Sequence, residues 1–215
     1  MKTNLIVPAL SAVFVAGAHA EPIWPNNVGM PMRHIMVSLS GNALSAHADW
    51  GDQRTVLERF PGETYLGAAS VLENKAYGDQ YGWMADGFID PGAGNSISIE
   101  LVSATAGLET YEGGRRMMKA NHTYDPIFGT AGSADTWVWP GTMVHNWYAA
   151  ELNGDYEATY RVFVSDAGGQ SVAGFTDATV TLYFRAVPAP SAVGTLACAG
   201  LLASRRRRGE GRVGT

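Results

Sequence analysis

Apolar residues recur at every second position through most of this chain, in runs short enough for strands and bounded by turn residues. The stretch HIMVSLSGNALSAHADW, His34 to Trp50, sets the pattern. Gly41-Asn42 suits the centre of a two-residue I′ or II′ turn, which places Ser40 opposite Ala43. Pairing then continues outward in step, with Met36 opposite His47 and His34 opposite Asp49. Side chains alternate across a strand and facing residues share a side. Ile35, Val37, Leu39, Leu44, Ala46 and Ala48 therefore form a core face. His34, Met36, Ser38, Ser45, His47 and Asp49 form the other.

Further strands are predicted at Thr55–Phe60, Thr64–Leu72 and Gly82–Ile89, then in SISIELVSAT, DTWVWPG and VHNWYAAE. The strongest alternation comes last, in DYEATYRVFVSD and FTDATVTLYFRAV, with Tyr156, Ala158, Tyr160, Val162 and Val164 on one face. Asn153-Gly154 and Gly168-Gly169 supply turn residues. Met117 to Asn121 fits a short helix or an edge strand equally. Regular short strands with little helical periodicity predict a single all-β domain, a β-sandwich of immunoglobulin-like or jelly-roll connectivity.

The two ends break this pattern. MKTNLIVPALSAVFVAGAHA has a basic start at Lys2, an apolar run and a small-x-small finish at Ala18-His19-Ala20. That is the layout of a signal peptide, residues 1–20, cut by signal peptidase before Glu21. After residue 187 come Pro188-Ala189-Pro190, a weakly apolar segment from Ala192 to Ala203, and Arg205, Arg206, Arg207 and Arg208. Prolines leave the backbone extended and accessible, the apolar segment enters a bilayer, and the arginines stop transfer on the cytoplasmic side. So short a span holds the inner membrane only transiently.

Setting the ends aside changes the charge. The chain has 15 Lys and Arg against 20 Asp and Glu; without Lys2, five tail arginines and Glu210, 9 and 19 remain, a net −10. Such a surface repels nucleic acid and tolerates divalent cations. The sole cysteine, Cys198, lies in the tail, so the expected domain, residues 21–187, carries no disulfide and relies on sheet packing.

The polar hairpin face is the first chemical candidate. His34, His47 and Asp49 are spaced to ligate one metal such as zinc, with His145 or His122 brought in by folding. Equally, Asp49 serves only to fix the tautomer of His34. Asp86, Asp90 and Asn95 offer oxygen atoms but fail the EF-hand spacing, and read as a polar turn. Trp83, Trp137, Trp139, Trp147 and Tyr148 suit either a core or stacking platforms for a carbohydrate such as an exopolysaccharide. No nucleophile elbow is present, so the expectation is a non-enzymatic protein.

The tail, with Val187, Pro188, Ala189 and Pro190 before the apolar segment and arginines, resembles the PEP-CTERM sorting signal, with Ala189 where glutamate is usual. The resemblance implies processing by an exosortase-type peptidase and release or attachment at the cell surface. The order of His34, His47, YLGAAS, the GW segment and VHNWYAAELNGDYEATYRV is similar to surface-anchored domains of the choice-of-anchor M type and their zinc-repressor-controlled relatives. His145, Asn146, Trp147, Gly154 and Tyr156 match that outline, although one histidine stands where the family often has two. This similarity implies metal handling at His34, His47, Asp49 and His145.

Overall fold

The alternating runs become strands in the structure, a computed structural model that describes residues 21–29 and 31–189. The expected signal peptide, Pro190 and the stop-transfer arginines Arg205 to Arg208 lie outside the described residues. Among those residues the strands are β1 (Arg33–Ser40), β2 (Ala43–Ala48), β3 (Thr55–Arg59), β4 (Ala76–Gly78), β5 (Tyr81–Ala85), β6 (Ser96–Ala104), β7 (Leu108–Gly114), β8 (Pro126–Ile127), β9 (Thr136–Trp139), β10 (Val144–Ala150), β11 (Gly154–Ser165) and β12 (Ala178–Ala186). The fold is all-β.

The opening hairpin has the expected register. Ile35 pairs with Ala48, Met36 with His47 and Ser40 with Ala43, and the Asp49 amide donates to the His34 carbonyl at 3.0 Å. Gly41 takes φ 57°, the left-handed value the turn demands and a Cβ opposes. Ile35 and Val37 are buried, whereas His34 and Met36 are only half-buried.

Hydrogen bonding links the strands in the order β2-β1-β5-β10-β4-β3-β12-β11-β6-β9, with β7 on β10 and β8 on β7. β3 joins the two halves of this path, running parallel to β12 at Thr55–Leu57 and antiparallel to β4 at Glu58–Arg59. The halves face each other across one core. Trp83 of β5 meets Tyr160 of β11 edge to face at 5.7 Å, and Tyr148 of β10 meets Phe184 of β12 at 4.7 Å.

β10 is buried along its whole length because both of its faces are covered. Val144, Tyr148 and Ala150 point into the main core. Trp147 and Ala149 point outward into a second cluster with Val28, Tyr65, Leu72, Tyr77 and Tyr124. The layer over this outer face is irregular chain, the N-terminal segment and the loops after Phe60 and Gly114.

Two expectations change and two open readings are resolved. Thr64–Leu72 is not a strand but a turn followed by a 3-10 helix, Gly67–Leu72. Gly67 at φ 56° leaves the extended region, and Ala69 and Leu72 anchor the helix in the second cluster. The strand expected over Gly82–Ile89 stops at Ala85, with Gly87 turning the chain at φ 94°. Trp83, Trp137, Trp139, Trp147 and Tyr148 are all buried, so their flat faces pack in the protein and are not stacking platforms. Met117–Asn121, left open by its pattern, ends in a 3-10 turn, Lys119–Asn121.

Candidate functional site

Three adjacent strands bring two histidines to one outward face. Gly82 of β5 is the register partner of His34 on β1 and of His145 on β10. It leaves the space between them. A Cβ at Gly82 would stand 2.5 Å from His145 Nε2, closer than to any other ring atom, so the ring reaches from β10 over Gly82 toward β1. The two imidazole centroids lie 6.1 Å apart at 72°.

Each ring is committed at Nδ1. His145 Nδ1 is 2.9 Å from the carbonyl of Asp79, which can only accept, so Nδ1 carries the proton and Nε2 the lone pair. His145 is fully enclosed, and burial pushes its pKa down to about 4 despite the favourable Asp79 carbonyl and carboxylate. It is therefore neutral near pH 7. His34 Nδ1 lies 3.1 Å from Asp49 Oδ2, while Asp49 Oδ1 accepts from the His34 amide at 3.0 Å. Both Nε2 atoms are enclosed and have no hydrogen-bond partner among the described residues. A carboxylate or carbonyl behind Nδ1 with a free Nε2 in front is the arrangement that orients a metal-ligating imidazole.

His47 stands apart. It is exposed opposite Met36 and lines a shallow pocket of about 340 Å³ with Asp52, Thr179, Thr181 and Tyr183. His122 is occupied at both nitrogens, accepting from Trp147 Nε1 at 2.9 Å and donating from Nε2 to the Arg115 carbonyl at 3.0 Å. Among the described residues no group of three or more His, Cys, Asp or Glu side chains is placed to hold a metal ion. The sequence candidates therefore divide by their neighbours, His34 meeting Asp49 and His145, and His47 on the same hairpin face lying opposite Met36. Asp90 and Asn95 close their own turn, with Asp90 Oδ1 accepting from Gly92 N and Asn95 Nδ2 donating to the Pro91 carbonyl.

Behind His145 lies a buried ion pair that sequence reasoning missed. Arg116 donates to Asp79 Oδ1 at 3.1 Å and to the carbonyls of Val28 and Gly29 at 2.8 and 2.7 Å. Asp79 Oδ1 also accepts from the Val28 amide, and Gln80 Nε2 donates to the Pro31 carbonyl. The segment from Pro25 to Pro31 is thus strapped across the sheet by side chains from the β4–β5 turn and the loop after β7. The available signal was the setting of Asp79 and Gln80 in YGDQYG, two polar residues in an otherwise apolar strand pair. Nothing in it points to Arg116. No family model, curated protein or solved structure matches the chain.

Proposed function

We propose that this chain is an exported, non-enzymatic cell-surface protein, a β-sandwich module that takes up a divalent metal such as zinc at the His34–His145 pair. The observation that carries the metal reading is the pair of oriented imidazoles, each held at Nδ1 and enclosed but unpartnered at Nε2 among the described residues. The donors fit zinc in kind but supply two positions of a tetrahedral shell, so water or a group from outside the described residues completes it. Asp49 and the Asp79 carbonyl orient the rings; His47 takes no part.

The export reading rests on the two ends of the sequence. Among the described residues, Ile23 N donates to the Thr64 carbonyl and Leu66 N to the Ile23 carbonyl, which ties the chain into the fold close after the expected cut. β12 ends at Ala186 and Val187 N donates to the Leu57 carbonyl, just before Pro188. In this reading signal peptidase and an exosortase-type enzyme process the chain, and the tail holds the inner membrane transiently. The exopolysaccharide alternative has lost its aromatic platform to the core.

Zinc titration by calorimetry tests the metal. The parent chain and a His47→Ala variant bind equally, and His34→Gln with His145→Gln abolishes the heat. Undiminished affinity in the double variant removes the metal from the proposal. Mass spectrometry of the surface fraction tests export independently, the expected chain starting at Glu21 and lacking the arginine cluster.

A further inference from the structure

Lys119 sits at a small apolar pocket beside the start of the strapped segment. The pocket, about 340 Å³, is lined by Trp24, Met117, Met118, Lys119, Ala120 and Asn121. Its rim is open, since Met117 is 80% and Met118 47% exposed. The Lys119 amine donates to the Pro25 carbonyl and lies over the Trp147 ring, 4.9 Å from its centroid. The amine is thus held over the Trp147 ring by the Pro25 carbonyl, on a residue that lines the pocket.

We propose that Lys119 is a covalent modification site for aldehydes, with the Trp24–Met117–Met118 pocket seating the apolar or aromatic body of the reagent. Burial of the amine favours the reactive, unprotonated form, although its charged neighbours on balance, led by the Asp79 carboxylate, favour the protonated one. Burial is the largest influence and Arg116 adds to it, while the Asp79 carboxylate opposes both; together they bring the pKa down to about 8. The neighbouring His122 is held neutral by its own burial. Desolvation beside a second cation is a recognised way of activating a lysine nucleophile.

In the step itself the nitrogen lone pair attacks the carbonyl carbon and the C=O π electrons move to oxygen. Proton transfer from nitrogen to oxygen and loss of water then leave an imine. No oxidant or reductant is consumed. The protein carries its own reference amine, because Lys75 is the other lysine among the described residues. Lys75 is paired with Glu109 and Tyr111, which hold its pKa up against the opposing effect of burial.

The test treats the full chain with 4-nitrobenzaldehyde or with formaldehyde at pH 7.5. Cyanoborohydride supplies hydride to trap each imine, and peptide mass mapping locates the products. Lys119 is expected to react about tenfold faster than Lys75, because its free-amine fraction is larger by more than its basicity loss offsets. Trp24→Ala should slow the aromatic aldehyde severalfold and leave formaldehyde unchanged. Equal labelling of Lys75 and Lys119 overturns the reactive site. Unchanged reaction of both aldehydes in Trp24→Ala overturns the seat for the reagent.

Discussion

His145 occupies the volume that a side chain on Gly82 would need, its Nε2 lying 2.5 Å from the vacant Cβ position. The glycine and the histidine are therefore one unit. Gly82→Ala forces a buried, hydrogen-bonded ring to move. It should cost about 1–3 kcal/mol, the range for overpacking a closed interior, and should weaken zinc uptake with it. Urea denaturation reads the first and calorimetry the second. An alanine variant as stable as the parent would mean that the ring relocates freely.

The turn glycine tests a different mechanism. Gly41 has open space around its Cβ position but φ of 57°. Gly41→Ala should thus lose about 1 kcal/mol from backbone strain alone. Gly41→Asn, which tolerates the left-handed region, should recover most of it.

Acid stability follows from His145. Its folded pKa is depressed to about 4 from the ordinary 6.5. Between those values the unfolded chain binds a proton that the folded chain refuses, so stability is full above pH 6.5 and falls as pH drops toward 4. The loss from this residue is about 3 kcal/mol at most, and His122, also depressed by burial, acts in the same direction. The groups facing His145 are the Asp79 carboxylate, Arg116 and His34. Urea midpoints at pH 7, 5.5 and 4 should show a shallower decline in His145→Asn than in the parent chain.

The strap depends on the Asp79–Arg116 pair, both nearly inaccessible to solvent. Arg116→Met leaves a buried carboxylate without its cation and removes donors from the Val28 and Gly29 carbonyls. A loss of about 3–5 kcal/mol is expected, with proteolytic cutting first between Pro25 and Pro31. Protection of that segment in the variant would show that the ion pair does not hold it.

Much of the fold was legible. Alternation found β1, β2, β3, β6, β9, β11 and β12, because each has one face against a core and period-2 patterning records that directly, whereas β10, covered on both faces, has no such alternation of burial. It missed β7, whose LETYEGG is half-buried apart from Thr110 and Tyr111, pairs with β10 and β8, and ends in glycines that allow close approach. A Cβ at Gly113 would fall 1.7 Å from the His145 carbonyl. It also missed the 3-10 turn at Gly67–Leu72, where apolar residues serve a second core that no local pattern announces. Of the candidate site, the His34–Asp49 contact was legible because a two-residue turn fixes cross-strand neighbours locally.

The sequence by itself determined the hairpin register, the all-β class and which residues along each strong strand point inward, since all three follow from neighbours a few positions apart. Only the tertiary structure decided that His145 stands beside His34, and that Trp83, Trp137, Trp139 and Trp147 are interior. Those outcomes depend on β5 entering between β1 and β10, parallel to the first and antiparallel to the second. That choice is made by long-range packing, which no spacing along the chain encodes.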